Sequence, residues 1–201
     1  VGLIKFKERK TEFTLKQFDV RKQLAAIRTV NLESAKLLDS YFDDIYCDDY
    51  YYVSNGKVST YQMISYFLDK YCAIYGTSCK IYITTWGMTE MAIRQLVTRK
   101  QSGQISEMHF VCSEQTKVNK TNEFYLMKEL ADSFTTVPCH AKIYLMDFGV
   151  KQISIITSAN LNRNNKLEAG VISGNSYTHN FYMNFLNQLI DDNKRRDVAR
   201  N

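Results

Sequence analysis

Cys139-His140-Ala141-Lys142-Ile143-Tyr144-Leu145-Met146-Asp147 is the stretch on which the reading of this chain turns. Read as a strand, its alternation puts His140 and Lys142 on one face and Ala141, Ile143 and Leu145 on the other, toward a core. A second polar pair recurs downstream in Thr157-Ser158-Ala159-Asn160, where the same period aligns Ser158 with Asn160 beyond the apolar run Ile153 to Ile156. Neighbouring strands that bury their apolar faces together bring both pairs to one rim of a sheet. An imidazole, an ammonium, a hydroxyl and a carboxamide then surround one space. Lysine and asparagine can hold phosphoryl oxygens, the serine hydroxyl can donate to them, and the imidazole can attack phosphorus or move a proton near neutral pH. A metal centre is a poorer reading, because Cys139 and His140 are adjacent and would face opposite sides of a strand.

Outward from this stretch the chain alternates strand and helix. Lys80 to Thr85 is a β-branched and aromatic strand, and Gly87 and Thr89 lead into a helix carrying Met91, Ile93, Leu96 and Val97. Ile105 to Cys112 is a second strand, and a helix around 122–132 leads to a strand at Ala141 to Asp147. Strands at Gln152 to Thr157 and Glu168 to Ser173 and a helix from Ser176 to about Ile190 complete the series. This order predicts crossover connections onto one sheet. Before it, Ser59 or Thr60 caps a helix to Tyr75 with the apolar stripe Met63, Ile64, Phe67, Leu68 and Tyr71. Leu15, Phe18, Leu24, Ile27, Leu32, Ala35, Leu37, Leu38 and Phe42 recur at helix-like intervals. The expected organisation is therefore a helical N-terminal region over 1–75, an α/β domain over 78–190 and a polar tail over 191–201.

His140-Ala141-Lys142, four residues, then Asp147, followed by Ser158-Ala159-Asn160, resembles the HKD signature of the phospholipase D superfamily. Glu168, opening the next strand, resembles that family's acidic position. The resemblance covers residues 78–190. It implies a phospholipase D-like mixed α/β sheet flanked by helices, here with a helical N-terminal extension, and active-site roles for His140, Lys142, Ser158, Asn160 and Glu168. Asp147 would take the motif aspartate, which in that family supports the fold. Two positions depart from the pattern. Thr157 stands where glycine usually precedes the serine, and the connection from Asp147 to Ser158 is longer than the common spacing, which predicts an extended hairpin near Phe148 to Gln152.

The same resemblance implies a metal-independent phosphodiesterase without cofactor, in which one histidine forms a phosphohistidine and a second protonates the leaving oxygen. The chain has three histidines. Only His140 has a lysine two residues on; Val111 follows His109 at that spacing, and Phe181 follows His179. His109, inside Met108-His109-Phe110-Val111, reads as a half-buried core residue, and His179 as a surface or capping residue. A site with two histidines therefore implies a homodimer, the arrangement of single-motif nucleases in the family.

Composition bounds the rest. The chain has 201 residues, 45% hydrophobic, with 14 Tyr and 11 Phe, which is ample for a core and unlike a disordered chain. No apolar run is long enough for a transmembrane helix, and no signal peptide is visible. The five cysteines are odd in number and form no CxxC pair, so they read as buried thiols of a cytoplasmic protein. The net charge of +5 permits a polyanionic partner, and the stretch Val1 to Arg28 holds eight basic residues against three acidic. That block could follow a phosphate backbone, so DNA is the expected partner, with an endonuclease as the expected activity. Two alternatives stand beside it: a nucleic-acid-binding or assembly module that keeps the fold without turnover, and a small lipid phosphodiesterase.

Overall fold

A computed structural model of the chain describes residues 27–42, 45, 47–162 and 165–198. The basic block up to residue 26 lies outside the described residues. The described residues form eight strands: β1 (Ile27–Leu32), β2 (Asp49–Asn55), β3 (Cys79–Thr85), β4 (Ile105–Cys112), β5 (Ser133–Thr136), β6 (Ile143–Asp147), β7 (Gln152–Thr157) and β8 (Leu167–Ser173). The helices are α1 (Leu38–Tyr41), α2 (Thr60–Tyr75), α3 (Glu90–Gln101), α4 (Glu114–Asn119), α5 (Thr121–Leu130) and α6 (Ser176–Val198). All eight strands join one mixed sheet in the order β1-β2-β8-β7-β6-β3-β4-β5. The expected mixed α/β sheet flanked by helices is what the chain forms.

Local chemistry explains the helix ends. In α2 the Ser59 hydroxyl accepts from the Gln62 amide while the Gln62 side chain accepts from the Ser59 amide, a reciprocal cap. Met63, Ile64, Phe67, Leu68 and Tyr71 are buried as one stripe, and Gly76 at φ +59° ends the helix. In α3, Thr89 accepts from the Ala92 amide, with Glu90 in the first turn and Arg99 and Lys100 in the last, which suits the helix dipole.

The N-terminal region departs from expectation. Ile27 to Leu32 and Asp49 to Asn55 are strands, and the only described helices before Tyr75 are a short turn, α1 and α2. Leu32 fits either a helical or an alternating pattern, and pairing with a neighbour decided it. β2 buries Tyr50, Tyr52 and Ser54 and exposes Tyr51 and Val53, a period of two. β1 lies parallel to β2, and β2 lies antiparallel to β8, so this region extends the sheet. Other boundaries differ less. A short helix, α4, and an edge strand, β5, flank α5, and α6 continues to Val198, through most of the expected tail.

The strand at the sequence's centre of interest is buried on both faces. Tyr144 and Met146 join the large core with the residues of α2 and α3, while Ile143 and Leu145 pack with Leu186 and Ile190 of α6. The β6–β7 hairpin is tight: Asp147 pairs with Gln152, Phe148 N–H donates to Lys151 O at 2.9 Å, and Gly149 adopts φ +81°. The expected long hairpin is thus absent, because Gln152 to Thr157 continues the ladder and takes up the length as strand. Five residues of β6 separate this hairpin from Lys142, roughly 16 Å along the strand.

Candidate active site

The strand directions define one rim. β6 runs antiparallel to both β3 and β7, and β8 runs antiparallel to β7. The C-terminal ends of β3 and β7 therefore meet the N-terminal ends of β6 and β8. Ligands of open α/β sheets gather where parallel strands end, and here β3 and β4 end on this rim.

His140 and Lys142 lie just before β6 begins. His140 is exposed, whereas Lys142 is 6% exposed. The Lys142 ammonium donates to His140 Nδ1 at 3.0 Å and to the His140 carbonyl at 2.7 Å, with Nε2 at 3.4 Å. An imidazole nitrogen that accepts this bond carries its lone pair toward a cation. Burial draws the lysine pKa below its ordinary value, against the opposing influence of Cys139 and Glu168. The alternation expected for this segment holds for Ile143 and Leu145, which are buried, and fails at Ala141, which is exposed because the strand starts two residues later.

Ser158 and Glu168 meet across the β7–β8 ladder. The Ser158 hydroxyl donates to Glu168 Oε2 and accepts from the Ala169 amide at 3.1 Å, while Ser158 N–H donates to Ala169 O at 3.0 Å. Asn160 sits on the β3 side of the rim, where its Oδ1 accepts from Thr85 Oγ1 at 3.3 Å. The single Thr85 hydroxyl proton is shared with Gly87 O at 2.9 Å, and the buried Tyr144 hydroxyl donates to Ala159 O at 3.1 Å. Burial holds the Tyr144 phenol well above its ordinary pKa. The turn carrying Ser158, Ala159 and Asn160 is thus fixed from beneath.

Thr157, the departure from the family pattern, is part of this support. Its hydroxyl accepts from Tyr52 O–H at 2.6 Å and from the Ala159 amide at 3.0 Å, and donates to Ala169 O at 3.3 Å. Burial raises the Tyr52 phenol to about 12, with the Thr157 hydrogen bond opposing and Glu168 adding to the rise. No local pattern marks Tyr52, Thr85 or Tyr144 for this rim, since each is one aromatic or hydroxylic residue among many on an alternating strand.

Asp147 lies at the other end of β6, where its Oδ1 accepts from the Gly149 amide at 2.8 Å and closes the hairpin. His109 is half-buried on β4, bonded to Ser133 Oγ at 2.8 Å and Glu107 Oε2 at 3.2 Å and stacked on Tyr82. His179 is not a surface residue. It is 1% exposed, because positions 179, 183, 186 and 190 form the stripe by which α6 covers the sheet, and its Nδ1 meets Ser154 Oγ at 3.3 Å. Among the described residues, no helix is long and apolar enough to cross a membrane.

No family model matches the chain, and no curated protein matches it. Among solved structures it is similar to a polyphosphate kinase from Porphyromonas gingivalis, at 13% identity and a TM-score of 0.38, covering 55% of this chain and 18% of that one. It is also similar to a mutant of yeast tyrosyl-DNA phosphodiesterase, at 14% identity and a TM-score of 0.42, covering 63% of this chain and 46% of that one. The chain thus spans less than half the length of each.

Proposed function

We propose that this protein is a metal-independent phosphodiesterase of phospholipase D type that cleaves DNA in a homodimeric site. The observation that carries this reading is the contact between Lys142 and His140: an exposed imidazole, held by a desolvated ammonium, on the same rim as the Ser158–Glu168 pair. His140, Lys142, Ser158, Asn160 and Glu168 form the working set, and Asp147 holds the hairpin behind it.

In the first step the Lys142 ammonium turns from His140 Nδ1 to a non-bridging oxygen of the substrate, the lone pair so released attacks phosphorus, and the bond to the leaving oxygen breaks. His140 of a second copy gives that oxygen its proton. In the second step the neutral imidazole of the second copy takes a proton from water, which attacks the phosphohistidine and frees the first ring. Lys142 from each copy neutralises the charge that gathers on the non-bridging oxygens. The Ser158–Glu168 pair and Asn160 orient the groups around that space. One chain holds one such histidine, so a twofold axis near His140 and Asn160 supplies the other. The exposed apolar side chain of Leu167, next to Glu168 at the start of β8, supports an interface at this rim.

His140→Ala tests the reading. It should abolish cleavage of a fluorescent oligonucleotide and of an activated phosphodiester while leaving the fold intact, since the ring is exposed. Full activity in this variant would remove the assignment. A phosphatidylcholine vesicle assayed beside the oligonucleotide distinguishes the lipid reading, which hydrolysis of the lipid alone would favour. Salt-sensitive DNA binding without turnover would favour the binding-module reading instead.

A further inference from the structure

Trp86 is the only tryptophan of the chain and follows β3 onto the rim that carries His140. Its ring centroid lies 6.0 Å from the His140 imidazole, with the planes inclined at 44°, and the residue is 36% exposed. The ring is held from behind. Its Nε1–H donates to Gln115 Oε1 at 3.3 Å, and Thr116 Oγ1 donates to the Trp86 carbonyl at 3.1 Å, both from α4. The segment after it is also fastened: Leu161 N–H donates to Gly87 O at 3.1 Å, and Thr89 N–H donates to Leu161 O at 3.3 Å.

Between these joined segments and the end of α4 lies a cavity of about 210 Å³, lined in part by Trp86, Asn119, Lys120, Asn160 and Asn162. The Asn162 Oδ1 atom is buried, with no hydrogen-bond partner among the described residues. A native structure seldom leaves such an acceptor unmet unless a ligand or water satisfies it. The cavity therefore combines an aromatic ring held in place, several carboxamides able to donate and accept, and one buried acceptor without a donor among the described residues, and its Trp86 ring is the part that lies near the imidazole.

We propose that this cavity is a nucleobase subsite, in which an unpaired base next to the phosphate at His140 stacks on Trp86 and offers an N–H to Asn162 Oδ1. The inference rests on the phosphodiesterase reading and narrows its substrate to single-stranded nucleic acid or to a strand with a nucleotide turned out of its stack. A base within a duplex has both faces covered by its neighbours and cannot use the indole. A phospholipid presents no flat ring to Trp86.

The test uses tryptophan fluorescence, which reports one residue in this chain. The probes are a short single-stranded phosphorothioate oligonucleotide and the same strand with every base replaced by an abasic residue. The base-bearing strand should quench the emission and bind roughly 5- to 100-fold more tightly than the abasic strand. By anisotropy of the labelled strands, Trp86→Ala should erase that difference and leave abasic binding unchanged, Trp86→Phe should keep most of it, and Asn162→Ala should reduce it. Equal binding of the two strands by the unaltered protein, or equal quenching by inorganic phosphate, overturns the subsite and leaves the phosphodiesterase reading standing. Base-dependent quenching in a protein that never cleaves supports the subsite and removes the catalytic reading instead.

Discussion

The Tyr52 hydroxyl donates to Thr157 Oγ1 at 2.6 Å by reaching across β8 at Gly170, the residue that pairs with both of them. A Cβ on Gly170 would overlap the Ile156 carbonyl oxygen and lie 2.9 Å from Tyr52 Cε1. The missing side chain is therefore what lets a strand on the far side of β8 brace the turn that presents Ser158.

Gly170→Ala should lower stability by about 1–3 kcal/mol, because the added carbon meets backbone that cannot swing away. Tyr52→Phe removes one hydrogen bond from a part-buried hydroxyl pair and should cost about 1 kcal/mol. Urea denaturation measures both, and a Gly170→Ala midpoint equal to that of the unaltered protein would contradict the packing described here.

Lys142 separates function from stability. The ammonium is desolvated, and a residue of similar shape without charge removes that penalty. Lys142→Met should keep or slightly raise the melting temperature while lowering oligonucleotide cleavage by about a hundredfold or more. A variant that loses activity only in proportion to lost folded protein would show that the lysine serves the fold.

Acid should weaken the protein through His179. Burial lowers its folded-state pKa below 6.5, opposed by the charge of Asp147 and a hydrogen bond with the Ile153 backbone. Below about pH 6.5 the unfolded chain then binds the proton more readily than the folded one, so stability present above that pH falls as the pH drops through the folded value. Urea midpoints between about pH 7 and about pH 5 should fall, and His179→Gln should flatten that fall. An identical slope in the variant would assign the acid sensitivity to other groups.

The proposed shared site sets the outcome of mixing. In a heterodimer of His140→Ala with Lys142→Ala, the common pocket lacks one histidine and one lysine, so little activity should return. Recovery close to that of the unaltered protein would mean that a pocket works with one histidine and one lysine drawn from different chains, and a fully active monomer by light scattering would mean that each chain carries a complete site. The proposed chemistry also uses no metal, so cleavage should survive EDTA. Loss on chelation with recovery on magnesium would point to a different reaction.

Much of the sheet was legible in the sequence where periodicity and chemistry agreed. β3, β4, β6 and β7 stand within two residues of their expected ranges, and α2 has the cap and stripe read from Ser59 to Tyr71. The first strands were obscured because Ile27, Leu32, Ala35 and Leu38 fit a helical spacing as well as an alternating one, and only pairing with β2 and β8 decides between them. The rim's polar residues were visible as two short motifs. Its supports were not, since Tyr52 and Thr85 reach their places through strand order, which no local pattern encodes. His179 was misread as exposed because its immediate neighbours Tyr177 and Asn180 are polar or amphipathic, while its stripe partners lie one, two and three turns on.

The place of β8 governs when this protein can come into being. It lies between β2 and β7, and among the described strands it alone links the β1–β2 pair to the rest of the sheet. A growing chain therefore holds β1 and β2 without this neighbour until residues 167–173 have been synthesised. Pairings so distant in sequence make assembly slow and leave strand edges open to other molecules meanwhile. Glu168 arrives with the same strand that closes the sheet, so the rim around His140 gains its carboxylate only as folding finishes, and an incomplete chain carries the histidine without its setting.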